Sequence, residues 1–81
     1  MKYQLFEHVA LAHDLPAKGL KRGDLGVIVE HHPLPGGEDG YSLEVFNALG
    51  ETLTVIVVPE SALEPVRADE ILQVRSLSPT T

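Results

Sequence analysis

Glycine and proline punctuate this chain at intervals that suit strands and leave little room for helices. The marks fall at Pro16, Gly19, Gly23, Gly26, across residues 33–40, and at Gly50, Pro59 and Pro65. Both residues interrupt regular backbone, glycine through its conformational freedom and proline through its missing N–H. Between the marks lie four runs dense in Val, Ile, Leu or Phe, at residues 5–11, 25–31, 41–46 and 52–58, and four such runs read as four strands. The third is the clearest: Tyr41, Leu43 and Val45 alternate with Ser42 and Glu44, the period of two of a half-buried antiparallel strand. The fourth alternates Thr52 and Thr54 with Leu53, Val55 and Val57 and then adds Ile56 and Val58, so its later half is expected to be covered on both faces.

The connections complete an all-β plan. Ala48-Leu49-Gly50 is short enough for a tight hairpin link, whereas residues 33–40 make a longer polar tip, expected to be mobile. Residues 12–24 form a long irregular segment whose Leu15 and Leu20 tuck beneath it. After the fourth run, residues 59–63 read as one short helical turn, with Ser61 as its cap, and residues 64–67 as a brief fifth strand. The fold expected is a small five-stranded antiparallel barrel spanning residues 1–67, followed by a C-terminal extension over 68–81 that could be helix or strand. Its core is expected to hold Leu5, Val9, Leu11, Ile28, Val29, Tyr41, Leu43, Val45, Val55, Val57, Leu63 and Val66. With 81 residues the chain makes one thin-cored domain, and without cysteine it has no disulfide or thiolate chemistry to reinforce it.

Charge narrows the partners. The formal net charge is −6, and residues 1–30 balance four basic against four acidic side chains, so the excess lies wholly beyond residue 30. Nucleic-acid affinity depends on Lys and Arg neutralising phosphates. The chain's basic cluster, Lys18, Lys21 and Arg22, supports a nucleic-acid-associated barrel only as an alternative. A protein partner, basic in character, suits the composition better, with the outward carboxylates Glu44, Glu51, Glu60 and Glu64 as its attracting surface. Ile71, Leu72 and Val74 in the extension are expected to pack on the barrel or on a neighbour, which would allow a homodimer through the extension. No apolar run approaches the roughly 20 residues of a membrane span, and residues 1–6 lack the basic start and apolar run of a secretory signal, so the expected location is the cytoplasm.

Catalysis and metal binding find little purchase. His31 and His32, beside Glu30 and near His8, His13 and Asp14, offer ligand chemistry, but adjacent residues on a strand point to opposite faces, so no metal or other cofactor is expected. Ser42, Ser61, Ser76 and Ser78 could serve as nucleophiles only with a base beside them, and none lies in a recognisable motif; the chain is not expected to be an enzyme.

The series Asp14-Leu15-Pro16, Gly19-Leu20, Gly23-Asp24-Leu25-Gly26-Val27-Ile28-Val29, residues 41–46, Gly50-Glu51 and Leu63-Glu64-Pro65-Val66 resembles the small bacterial domain-of-unknown-function family 4926. The resemblance implies a small barrel like those of Src-homology-three, Tudor and KOW domains. It transfers no catalytic residues, and it implies a stand-alone protein paired with a small partner, as an antitoxin or immunity protein is. A fainter likeness, through His31, His32, Tyr41 and Leu63-Glu64-Pro65, links the chain to the barrel of nitrile hydratase beta subunits and implies an accessory subunit of a larger enzyme such as a hydratase. Gly23, Asp24 and Gly26 have a structural reading of their own, in which the glycines permit a sharp turn or close approach and Asp24 bonds local amides.

Overall fold

The computed structural model describes residues 2–77. Five antiparallel strands form one sheet: β1 (His8–Leu11), β2 (Leu25–His32), β3 (Gly40–Phe46), β4 (Thr52–Pro59) and β5 (Leu63–Pro65), in the spatial order β4-β3-β2-β1-β5. Short 3-10 turns occupy Pro16–Lys18 and Glu60–Ala62. One buried cluster draws on both edges of the sheet, Ile56 and Val58 from β4 and Leu63 from β5, with Val9, Leu11, Ile28, Tyr41, Leu43 and Val45 between them. Edge strands can share a core only if the sheet curls, and β2 supplies the bend. Its pairing with β3 shifts between Ile28 and Glu30, leaving Val29 without an opposite residue.

Glycine is required where β2 begins. Gly23 has φ +89°, the left-handed region that favours glycine. Asp24 Oδ2 accepts the Lys21 amide at 2.8 Å and closes the turn. Gly26 is needed for space, since a Cβ there would lie 2.5 Å from Leu43 Cγ.

Five residues of the expected core, Leu5, Val29, Val55, Val57 and Val66, lie outside the buried cluster. In β4 the inward residues are Ile56 and Val58, while Val55 and Val57 are 54% and 67% exposed on the outer face, with Leu53 beside them. The phase is set by β3: Leu43 lies opposite Ile56 and Tyr41 opposite Val58, and an irregularity between Val45 and Phe46 inserts Leu53 as an extra residue. The fourth run's threonines misdirected the assignment, because Thr54 faces Val45 rather than solvent alone. At the N-terminus, β1 begins only at His8, so Leu5 is exposed and Tyr3 takes the core position. Phe6 adopts φ +67° while its amide bonds Ile28 O, a kink that turns Leu5 and Phe6 outward. Val29 is half-buried at the bulge, and Val66 lies past the end of β5, exposed.

The tip at residues 33–40 is tied down at several points. Asp39 accepts from His31 Nε2 at 2.8 Å and from the Leu34 amide at 3.1 Å. The Asp39 carbonyl accepts the Glu60 amide. Ser61 makes no cap; its amide and hydroxyl both donate to Glu38, joining the tip to the turn before β5.

The close approach of Gly26 to Leu43 gives a test. Gly26→Ala should lower stability by about 1–3 kcal/mol through overpacking. Adding Leu43→Ala should then cost less than it does alone, because the clash has gone. Denaturant unfolding of the two single variants and the double variant measures the coupling; strict additivity would show that the contact is not felt.

Candidate functional site

Beyond β5 the chain leaves the sheet. Arg67 and Glu70 close a turn, in which the Arg67 amide donates to Glu70 Oε1 and the Glu70 amide to the Arg67 carbonyl. The residues from 71 to 77 then run without regular structure, neither helix nor strand. Arg75 fixes their far end. Its guanidinium grips Asp24 with two parallel bonds, Nε to Oδ1 at 2.8 Å and Nη2 to Oδ2, and Nη2 also reaches Gly19 O at 3.4 Å. Such a planar two-point grip is specific to arginine. The bond from Arg75 holds the Asp24 carboxyl below its ordinary value, and that same bond raises Arg75.

Between the turn and the clamp lies an open groove of about 1240 Å³. Leu25, Val27, Phe46 and Leu53 line it from the sheet, and Ile71, Leu72, Val74 and Leu77 from the tail. Ile71 and Val74 do not pack on the sheet, being 93% and 83% exposed, and Leu72 and Leu77 are only partly covered. Beside the groove, the outer face of β4 carries Leu53, Val55 and Val57. A second, smaller apolar gap of about 310 Å³ separates Ile56–Pro59 of that strand from Leu15–Lys18.

The four glutamates expected to attract a partner are spread over the fold. Glu44 sits on β3 opposite Val55 and accepts from Thr52 Oγ1, and Glu51, in the following turn, accepts from Asn47 Nδ2. Glu60 accepts the Tyr41 hydroxyl at 2.9 Å, and Glu64 on β5 faces Arg22 Nε at 3.9 Å. Glu44 and Glu51 are thus neighbours at one end of β3 and β4, while Glu60 is committed to the core tyrosine. The basic cluster is interleaved with acid: Lys21 and Arg22 bond Asp24 and Asp14 through their amides, and Arg22 faces Glu64.

The histidines diverge as adjacent strand residues must. His31 lies against the Tyr41 ring, centroids 5.2 Å apart, and bonds Asp39, whose carboxyl it holds below the ordinary value. His32 shares a 2.7 Å hydrogen bond with Ser42 Oγ, and Glu30 approaches the same ring nitrogen at 3.8 Å. A serine–histidine–carboxylate relay has the acid on the opposite ring nitrogen, whereas here Glu30 approaches the nitrogen that bonds Ser42, and Ser42 is only 7% exposed. Among the described residues no three His, Asp or Glu side chains gather as a metal site would require, and no helix is long and apolar enough to cross a membrane. Ser78 lies outside the described residues.

Sequence reasoning missed the Arg75–Asp24 clamp and the outer stripe of β4. The first left one cue, a lone arginine in an apolar tail. The second left another, a strand of eight residues without a charge.

The clamp should be visible in acid. Because Asp24 titrates below its ordinary value when folded, its stabilisation is complete above that value, near 3.8, and is lost as pH falls through the lower folded-state value. Melting temperatures from about pH 5 down to about pH 2 should therefore converge for the wild type and Arg75→Met, the wild type being the more stable only at the higher pH. A gap that stays constant across the range would show that Arg75 does not hold Asp24 in solution.

No curated protein and no solved structure matches the chain. One family model does, over residues 5–65, a span that takes in all five strands and stops at the last residue of β5, so that the tail lies outside it. The chain belongs to the family described as Domain of unknown function (DUF4926).

Proposed function

We propose that this protein is a non-enzymatic interaction module that binds a basic protein partner, as the neutralising, antitoxin- or immunity-like member of a two-gene pair. The observation that carries the reading is the tail, which holds Ile71, Leu72 and Val74 in solvent above an apolar sheet face. Contiguous exposed apolar surface of this kind marks interaction sites in small soluble domains. The groove is open along its length, a shape that suits a polypeptide laid across it better than a small molecule enclosed in it. The net charge of −6 adds selectivity, since complementary charge mainly speeds encounter and excludes wrong partners. Glu44 and Glu51, near the Leu53 end of the groove, are the carboxylates placed to contribute.

Affinity capture from the native cells tests this with three baits: the wild type, Ile71→Ser/Leu72→Ser/Val74→Ser, and Glu44→Lys/Glu51→Lys. The wild type should retain one basic protein, and the serine variant should lose it. The charge variant should bind roughly tenfold more slowly at low salt, with the difference shrinking as salt rises. Equal recovery by all three baits, or none by the wild type, would overturn the reading.

A further inference from the structure

The two edges of the sheet are unequal. β5 offers three residues, of which Glu64 is charged and Pro65 lacks an amide proton, the usual protections of an exposed edge. β4 offers eight residues, Thr-Leu-Thr-Val-Ile-Val-Val-Pro, with no charge and no proline before its last position. Half of its backbone N–H and C=O groups face away from β3, ready for another strand. Its outward side chains, Leu53, Val55 and Val57, are all exposed. An apolar gap of about 310 Å³ separates Ile56–Pro59 from Leu15–Lys18.

We propose that β4 pairs antiparallel with β4 of a second copy of this chain, about a two-fold axis at Val55, forming one continuous ten-stranded sheet. The strand is self-complementary in that register. Val55 meets its own counterpart, Leu53 meets Val57, and the same pairs repeat across the axis, so that every outward contact is apolar. A two-fold interface demands such matching of a surface to itself. The seam carries no charge, so two chains of net charge −6 can meet there without opposed carboxylates. This pairing does not depend on the hetero-partner reading, which uses the tail.

Sedimentation velocity from about 1 to about 200 μM tests it, a range that spans ordinary dimer affinities. The wild type should shift from monomer toward a dimer of twice its mass. Val55→Lys and Val55→Glu should each remain monomeric, because they set like charges face to face at the axis. An equimolar mixture of the two should recover the dimer. Val55 is exposed on an edge, so both variants should keep the wild-type circular dichroism spectrum. Truncation after Arg67 should leave the dimer intact. A wild type that stays monomeric throughout, dimerisation that survives Val55→Lys, or loss of the dimer on truncation would each overturn the proposal, the last by placing the second copy on the tail. A Val55→Lys variant that instead loses the hetero-partner would assign the edge to that partner.

Discussion

The fold turns on Tyr41. Its ring is wholly buried in β3, the second strand from the sheet's long edge, and packs edge-on against Tyr3 with centroids 5.6 Å apart. Its hydroxyl accepts the Lys2 and Tyr3 amides at 3.1 and 3.3 Å and donates to Glu60. One oxygen therefore fixes the N-terminal segment and the turn that carries the chain from β4 to β5. Tyr3 passes the constraint on, since its own hydroxyl donates to Leu63 O in β5. Burial raises both tyrosines above their ordinary values, so they remain neutral donors throughout the physiological range. A domain this small has few apolar layers to hold its edges together, and a buried, fully bonded polar group specifies which segments meet. His31, resting on the same ring and bonded to Asp39, extends that control to the tip of the β2–β3 hairpin.

This arrangement explains what could be read from sequence and what could not. β3 was legible because its two faces differ in polarity: Tyr41, Leu43 and Val45 enter the core, and Ser42 and Glu44 lie on the other face, Ser42 bonded there by His32. β4 was legible as a strand but not in phase, because valine and isoleucine occupy both faces and local alternation carries no information about which side is buried. The phase comes from register against β3, and that register depends on a turn at residues 47–50 and an irregularity at Phe46 which local patterns do not encode. The Gly23-Asp24-Gly26 turn was legible for the opposite reason, since left-handed backbone and a carboxylate bonding an amide three residues away are local properties of the chain. Tyr3 in place of Leu5 was hidden by the kink at Phe6, where a left-handed residue that is not glycine is held by a ladder bond to Ile28.

The expected partner-binding residues divide along the same line. Of the four glutamates only Glu51 is exposed, Glu44, Glu60 and Glu64 being half-buried, because exposure and grouping alike are properties of the folded chain. Glu60 illustrates the difference: in sequence it is one more surface acid, and in the fold it is the acceptor that completes Tyr41. Glu64 likewise meets Arg22, which brings the basic cluster and the acidic half of the chain into contact. Exposed apolar side chains remain beside these acids, on the outer face of β4 and on the tail.

The tail itself shows how little chemistry is needed to position an extension beyond the last strand of a sheet. Asp24 is oriented by the Lys21 amide as part of the turn into β2, which holds the plane of its two oxygens toward the tail. Arg75 meets that plane with a rigid fork, and the ordering cost falls on the arginine and the residues behind it rather than on the barrel. The turn at Arg67–Glu70 shortens the free length that must be ordered. Two local devices at either end thus carry residues 71–74 along the groove, where Ile71 and Val74 stay 93% and 83% exposed.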